Sequence, residues 1–125
     1  MIVLDSDVII ESLERDSAKG EEALRRVEDS GEELAITSIT LHEVLYGLGR
    51  RGHRSDQLDL VPVLEFRAED ARMAAELEVE LGRRGVTVAR ADCMVAGCAI
   101  TRKARLFTFN TRHFARMRDH GLRLF

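Results

Sequence analysis

The sequence predicts a three-layer α/β/α sandwich built on a five-stranded, mainly parallel sheet. Three observations carry that expectation. The candidate strands are short and apolar throughout instead of alternating, as strands covered on both faces are. Segments of helical periodicity separate each strand from the next, the rhythm of parallel βαβ pairing. The 125 residues, 45% hydrophobic and 33% charged, have the size and composition of a single domain spanning 1–125. A chain of that length buries enough surface to fold without disulfides or a structural metal.

Taken in order, Ile2-Val3-Leu4 is an apolar, β-branched run that ends abruptly at Asp5 and reads as a buried strand. A brief helix follows from Asp7, with Val8, Ile9 and Leu13 as its apolar side. A second helix runs from about Ala18 to Ser30, with Ala23, Leu24 and Val27 on one face and Gly31 as its stop. Leu34-Ala35-Ile36 is the second strand. Leu41, Val44, Leu45 and Leu48 form a helical stripe expected to end in the Gly47/Gly49 region. Val61–Phe66 reads as the third strand, with Pro62 at its start, where a missing N–H is tolerated. Ala68 to Arg84 is the longest helix, carrying Met73, Ala74, Leu77 and Leu81 and stopping at Gly85. Ala91 to Arg102 is a helix of small apolar residues. Leu106–Phe109 is the fourth strand, a short helix spans about Thr111–Asp119, and Leu122–Phe125 is the fifth strand.

Several functional classes fall away on composition. No apolar run approaches the roughly 18 residues of a membrane span, so no membrane partner is expected. The N-terminus has no basic region before its apolar stretch and meets an acid at position 5, unlike a secretory signal. Cys93 and Cys98 fit neither a disulfide framework nor a CxxC metal spacing and read as buried, reduced thiols of a cytoplasmic protein. The net charge of −3 conceals an asymmetry: residues 1–46 carry twelve acids and four bases, whereas residues 83–125 carry two acids and ten bases. The basic final third either forms a footprint for a polyanion or pairs with the acidic start. Arginine supplies seventeen of the nineteen bases, and guanidinium suits phosphate.

In a parallel sheet the functional edge lies at the carboxyl ends of the strands. Asp5, Ser6 and Asp7 follow the first strand; Thr37, Ser38 and Thr40 follow the second, with Glu43 just inside the next helix. Asp92 opens the small-residue helix, and Thr108 and Asn110 follow the fourth strand. Each also has a structural use. Asp5 or Asp7 can cap the first helix, Thr40-Leu41-His42-Glu43 fits a capping box, and Asp92 and Asn110 stand where N-caps belong. Two features exceed capping. Asp5 directly ends a buried strand, where an uncompensated charge is costly. The acids also converge on one edge, where ionised carboxylates need raised pKa values or a cation. An oxygen-rich set without cysteine, and with four histidines in no ligating pattern, suits Mg2+ or Mn2+. Such an ion is the usual companion of phosphate chemistry.

Four segments resemble the PIN-domain ribonucleases. Leu4-Asp5-Ser6-Asp7-Val8-Ile9-Ile10 resembles their opening motif, and Thr37 to Gly47 resembles the second, with Glu43 four residues before the glycine. Ala91-Asp92-Cys93-Met94-Val95-Ala96-Gly97 resembles the third and Leu106-Phe107-Thr108-Phe109-Asn110-Thr111-Arg112-His113-Phe114 the fourth. All four occur in order, and the resemblance covers the whole chain at the compact size of VapC-type toxins. It implies a PIN-like fold and a Mg2+- or Mn2+-dependent endoribonuclease, the toxin of a toxin–antitoxin pair. It also implies a cytoplasmic homodimer that binds a small cognate antitoxin over its acidic groove. Asp5, Glu43 and Asp92 match the metal-binding acids. Asn110 takes the fourth position, often aspartate, with one negative charge fewer, and Asp7 matches the second polar residue of the first motif as a further ligand. Thr108 resembles the family's hydroxyl near the metal.

This resemblance gives the basic third a use, because acids around a metal repel a polyanion unless bases flank them. Arg112, His113, Arg116 and Arg90 are the candidate substrate contacts, with the run from Arg50 to Arg54 further out. One tyrosine and no tryptophan provide little for base stacking. Asp5-Ser6-Asp7-Val8 also resembles the DxDx(T/V) motif of haloacid-dehalogenase-like phosphatases, with Asp5 as nucleophile. That chemistry wants a steadying lysine and a further acidic pair; the only lysines are Lys19 and Lys103, and no acidic pair ends a late strand. A receiver-type domain lacks its aspartate, since Glu65-Phe66-Arg67 ends the third strand. A non-cleaving PIN-like domain that binds RNA or protein is the remaining alternative, with the same acids acting as caps.

Overall fold

The computed structural model of the chain describes residues 1–15 and 17–125. Its strands are β1 (Ile2–Leu4), β2 (Leu34–Thr37), β3 (Val63–Leu64), β4 (Arg105–Phe107) and β5 (Arg123–Leu124). They form one sheet in the order β3-β2-β1-β4-β5, and every pairing is parallel. Val3 lies opposite Ala35 on one side and Leu106 on the other. The chain builds outward from β1 to β3, then crosses back to β4 and builds the other way. The order therefore reverses between β1 and β4, and the carboxyl ends there open the crevice in which such sheets place their sites.

Strand alternation sends side chains to two cores. Ile2, Leu4, Ile36 and Phe107 face α1 (Ser6–Ile9), α2 (Ala18–Ser30) and α3 (Ser38–Arg50), where they pack with Val8, Ile9, Ala23, Val27, Val44 and Leu48. Val3 and Leu106 face α4 (Ala68–Arg83) and α5 (Arg90–Thr101), where they meet Ala74, Leu77, Leu81, Val95, Ala96 and Ala99. Ile2, Val3 and Leu106 have no exposed surface, and each such side chain contributes about 1.5–3 kcal/mol of burial free energy. Cys93 and Cys98 are free, buried thiols, and burial pushes both up to about 11. No helix among the described residues is long and apolar enough to cross a membrane.

The structure corrects several boundaries. The third strand is not Val61–Phe66 but Val63–Leu64. Val61 N–H closes a 3-10 turn onto Leu58 (3.2 Å), and Pro62, without an N–H, contributes only its carbonyl, to Ile36 (2.9 Å). The fourth strand stops at Phe107, before Thr108 and Phe109, because those residues bond a side chain across the rim instead of a neighbouring strand. α3 runs through Gly47 and Gly49 to Arg50, both glycines facing open space. The first helix continues as a π-helical turn, Ile10–Glu14. Gly20 permits this: a Cβ there would stand 2.1 Å from the Glu11 carbonyl oxygen. After α6 (Thr111–Phe114) the chain tightens into a 3-10 segment, Ala115–His120, where one helix to Asp119 was expected.

The α4–α5 contact holds a buried ion pair that the sequence did not disclose. Gly97 lets the helices close: its Cβ would lie 2.8 Å from the Asp70 carbonyl oxygen. The fully buried Asp70 carboxylate accepts from Arg67 N (2.8 Å), from the Thr101 hydroxyl and from Arg102 Nη1 (2.9 Å), while Arg102 Nη2 donates to the Glu65 carbonyl (2.8 Å). Burial opposes ionisation, but the bonds from Thr101, the Arg67 amide and Arg102 outweigh it and hold the carboxyl down at about 2. Its contribution to stability is thus present above the unfolded value near 4 and fades as pH falls through about 2. Asp70→Asn is expected to lose about 2–4 kcal/mol at pH 7, with Arg102 left facing no charge. Urea unfolding should show that gap from wild type narrowing as pH falls from 5; a constant gap would rule out ionised pairing as its source.

Candidate active site

The rim is built from helix entries. Asp5 follows β1, its amide donates to the Phe107 carbonyl (2.9 Å), and its extended backbone (φ −81°, ψ 164°) makes it the N-cap of α1. Its Oδ1 accepts from Ser6 N (2.8 Å), and the residue is 7% exposed. Asp7 sits in the first turn of α1. Its Oδ2 accepts from Phe109 N (3.1 Å) and the buried Thr108 hydroxyl (3.3 Å), which in turn accepts from Asn110 N (3.0 Å). Thr37, not Thr40, caps α3: its Oγ1 accepts from Thr40 N (3.0 Å). The capping-box use of Glu43 therefore falls away, and its half-buried carboxyl faces the rim. α5 begins without a side-chain cap, so Asp92 in its first turn is not a cap either. Asn110 occupies the N-cap position of α6, but its exposed side chain makes no capping bond.

These carboxyls influence one another. Burial, then the Asp7 charge, pushes Asp5 up to about 7, with Asp92 adding to it and Thr108 and Ser6 opposing. Burial raises Asp7, against the Phe109 and Val8 amides. Burial also raises Glu43, with the Asp92 charge adding and the Ser6 hydroxyl opposing. Asp7 Oδ1 is buried and has no hydrogen-bond partner among the described residues. Oxygen donors that resist ionisation, one of them orphaned, fit a divalent cation of the Mg2+ or Mn2+ kind. The expected ligand set is nevertheless not a closed cage. Among the described residues no three His, Cys, Asp or Glu side chains stand close enough to enclose an ion. Asp92 is drawn to His113 and Asp7 to the loop after β4.

Two of the expected substrate contacts are otherwise engaged. Arg90 forks onto Glu78 of α4, with Nε 3.1 Å from both carboxylate oxygens and Nη2 at 3.0 Å. His113 Nε2 lies 2.8 Å from Asp92 Oδ2. Arg112 and Arg116 are exposed and form no ion pair among the described residues. The basic third is thus divided: Arg84, Arg102 and Arg105 pair with Asp119, Asp70 and Glu32, while Arg112 and Arg116 stay available. Asp7, which a phosphatase needs as a proton shuttle, is tied to the loop after β4. Sequence reasoning placed Ser6 at the rim but gave it no role; its hydroxyl stands beside Glu43 and opposes the rise of that carboxyl. That reasoning missed an aromatic strip on α3, where His42 stacks on exposed Tyr46 (6.3 Å) and the Arg50 guanidinium lies 5.8 Å from the tyrosine ring.

The raised Asp5 value has a measurable consequence. Its folded pKa of about 7 lies above the ordinary carboxyl value of 3.8, so stability declines as pH rises from about 4 through 7. In EDTA, Asp5→Asn removes this cost and retains an acceptor for Ser6. It is expected to stabilise the chain by about 1–3 kcal/mol at pH 8 and to make little difference at pH 4. Thermal melts at the two pH values check this, and an equal shift at both would exclude the charge as its origin.

Comparison with known proteins accords with this geometry. The PIN domain family matches residues 2–119. Ribonuclease VapC1 of Methanocaldococcus jannaschii is 27% identical over 99% of this chain and 86% of its own length. The tRNA(fMet)-specific endonuclease VapC of Shigella flexneri is 32% identical over 67% of this chain and 69% of its own. Among solved structures, DNA-bound VapBC from Salmonella typhimurium aligns with a TM-score of 0.81 at 26% identity, covering 99% of this chain and 96% of that one. VapBC2 from Rickettsia felis bound to promoter DNA aligns at 0.79 and 23% identity over 100% of this chain and 98% of that one, and so shares the fold. With four of its five strands and all four rim segments inside the family match, the chain belongs to the PIN-domain family, in its VapC branch.

Proposed function

We propose that the protein is a metal-dependent endoribonuclease that hydrolyses RNA phosphodiester bonds as the toxin of a VapBC-type toxin–antitoxin pair. One observation supports the reading: Asp5, Glu43 and Asp92, from three separate helix entries, share the rim with Asp7 at the sheet's switch point, where burial raises Asp5, Asp7 and Glu43 and the Asp92 charge adds to the rise of Asp5 and Glu43. Asp5, Glu43 and Asp92 would hold Mg2+ or Mn2+, with Asp7 Oδ1 and Asn110 completing the set. When bound, such an ion supplies Lewis-acid polarisation of the phosphate and a more acidic water for attack. The chain's own residues do the rest. Thr108 and the Phe109 amide keep Asp7 turned towards the rim, and the free guanidinium groups of Arg112 and Arg116 hold the RNA backbone.

RNA as the substrate class is supported by the relatives, one of which is a tRNA(fMet)-specific endonuclease. A cognate antitoxin as partner is supported by the VapBC complexes among the structural neighbours; its place in this reading is over the acidic groove of a cytoplasmic homodimer. Purified protein is expected to cut a mixed-sequence RNA with Mn2+ and not with EDTA. Asp92→Asn should lower that rate at least about 100-fold at an unchanged melting temperature, the loss of a ligand exceeding that of an outer partner. Arg112→Ala should instead weaken RNA binding several-fold and flatten its salt dependence by about one unit of slope. Wild-type cutting by Asp92→Asn would overturn the assignment.

A further inference from the structure

We propose that His113 is a positioning residue, which fixes the Asp92 carboxylate at the rim instead of contacting RNA. The inference rests on the metal-dependent reading above and deepens it. His113 Nε2 lies 2.8 Å from Asp92 Oδ2, a contact between α6 and α5 across 21 positions of sequence. A carboxylate only accepts, so Nε2 carries the hydrogen. The imidazole is itself held. Its backbone N–H donates to the Asn110 carbonyl (3.1 Å) in the first turn of α6, and its ring stands edge-on to Phe114 (5.4 Å, 84°), a side chain sealed in the core.

The bond distinguishes the two oxygens of Asp92. Oδ2 is taken by His113, while no hydrogen bond among the described residues engages Oδ1, which is left to the rim. The segment from Thr108 to His113 thereby grips an acid at each end. Thr108 and Phe109 hold Asp7 of α1, and His113 holds Asp92 of α5. A carboxylate turned and fixed by a hydrogen bond presents its free oxygen at less entropic cost than one that must be ordered by the ion. A phosphate contact through the same Nε2 would require this bond to break first.

The test measures Mn2+ binding by the intact protein, without RNA, by calorimetry and by the electron-spin signal of free Mn2+. Cleavage is followed beside it at saturating Mn2+. His113→Ala is expected to bind Mn2+ roughly 10- to 100-fold more weakly than wild type. Its KM for RNA should be unchanged, and its activity should return when Mn2+ is raised. His113→Gln, whose amide N–H reaches a similar point, should restore affinity to within about threefold of wild type, as a donor of this kind requires. Circular dichroism and melting of both variants separate these effects from misfolding. Unaltered Mn2+ affinity in His113→Ala overturns the proposal, and a raised KM for RNA with that affinity unchanged returns His113 to the phosphate contacts. A wild-type chain that takes up no Mn2+ overturns the metal reading itself and this inference with it.

Discussion

The buried carboxylate of Asp5 is the constraint around which the rest of the rim is arranged. It ends the central strand, so its main chain is committed: the amide pairs with Phe107 and completes the register between β1 and β4. Its side chain caps α1, so the helix entry is committed too. Neither contact supplies a counter-charge. The charges that act on it are those of the acids Asp7 and Asp92, and burial with these neighbours keeps the carboxyl poised near neutral pH. A fold seeking only stability would place a neutral cap here, since an asparagine makes the same bond to Ser6. The acids gathered at this buried strand end, with Asp7 Oδ1 lacking a hydrogen-bond partner among the described residues, leave the rim without a counter-charge of its own.

Asp70 shows what the same residue type does under the opposite arrangement. It is more deeply buried than Asp5, yet its carboxyl is held down at about 2, because Thr101, Arg67 and Arg102 converge on it. One aspartate is met by cationic donors and fastens α4 to α5; the other has the neutral donors Ser6 and Thr108 but only acids, Asp7 and Asp92, among the charges acting on it. Burial alone does not decide whether a carboxyl ionises. The sign of the neighbouring charges does, and only Asp5 lies at the switch point of the sheet.

That difference also explains what could be read from sequence. The parallel sheet, its order of helices and the rim acids were legible because they depend on local pattern. Apolar runs ending at Asp5, at Thr37 and before Thr108 place those residues at strand ends, whatever the distant packing. Strand length was less legible where local turns compete: Pro62 and the 3-10 turn at Leu58–Leu60 shorten β3, and Asp7 takes the amide that would have extended β4. The pairs Arg90–Glu78, Arg102–Asp70 and His113–Asp92 were not legible, because each joins residues 12 to 32 positions apart through the way two helices meet. Basic residues adjacent to a motif read as substrate contacts; whether a carboxylate from another helix reaches them first is decided only by the fold.

The consequence is a sorting of the basic third by how each side chain is occupied. Arg102 is almost enclosed and satisfied on both sides by Asp70 and the Glu65 carbonyl, so its charge belongs to the core. Arg90 is exposed but forked onto Glu78, so its charge is compensated before any polyanion arrives. Arg112 and Arg116 face solvent on the short helical stretch that follows Asn110, one on each side of His113 in sequence. The same few residues therefore face both ways: His113 turns inward to an acid and its arginine neighbours turn outward to solvent. The division follows from occupancy: the His113 ring is engaged by Asp92, whereas the guanidinium groups of Arg112 and Arg116 form no ion pair among the described residues and keep their charge exposed.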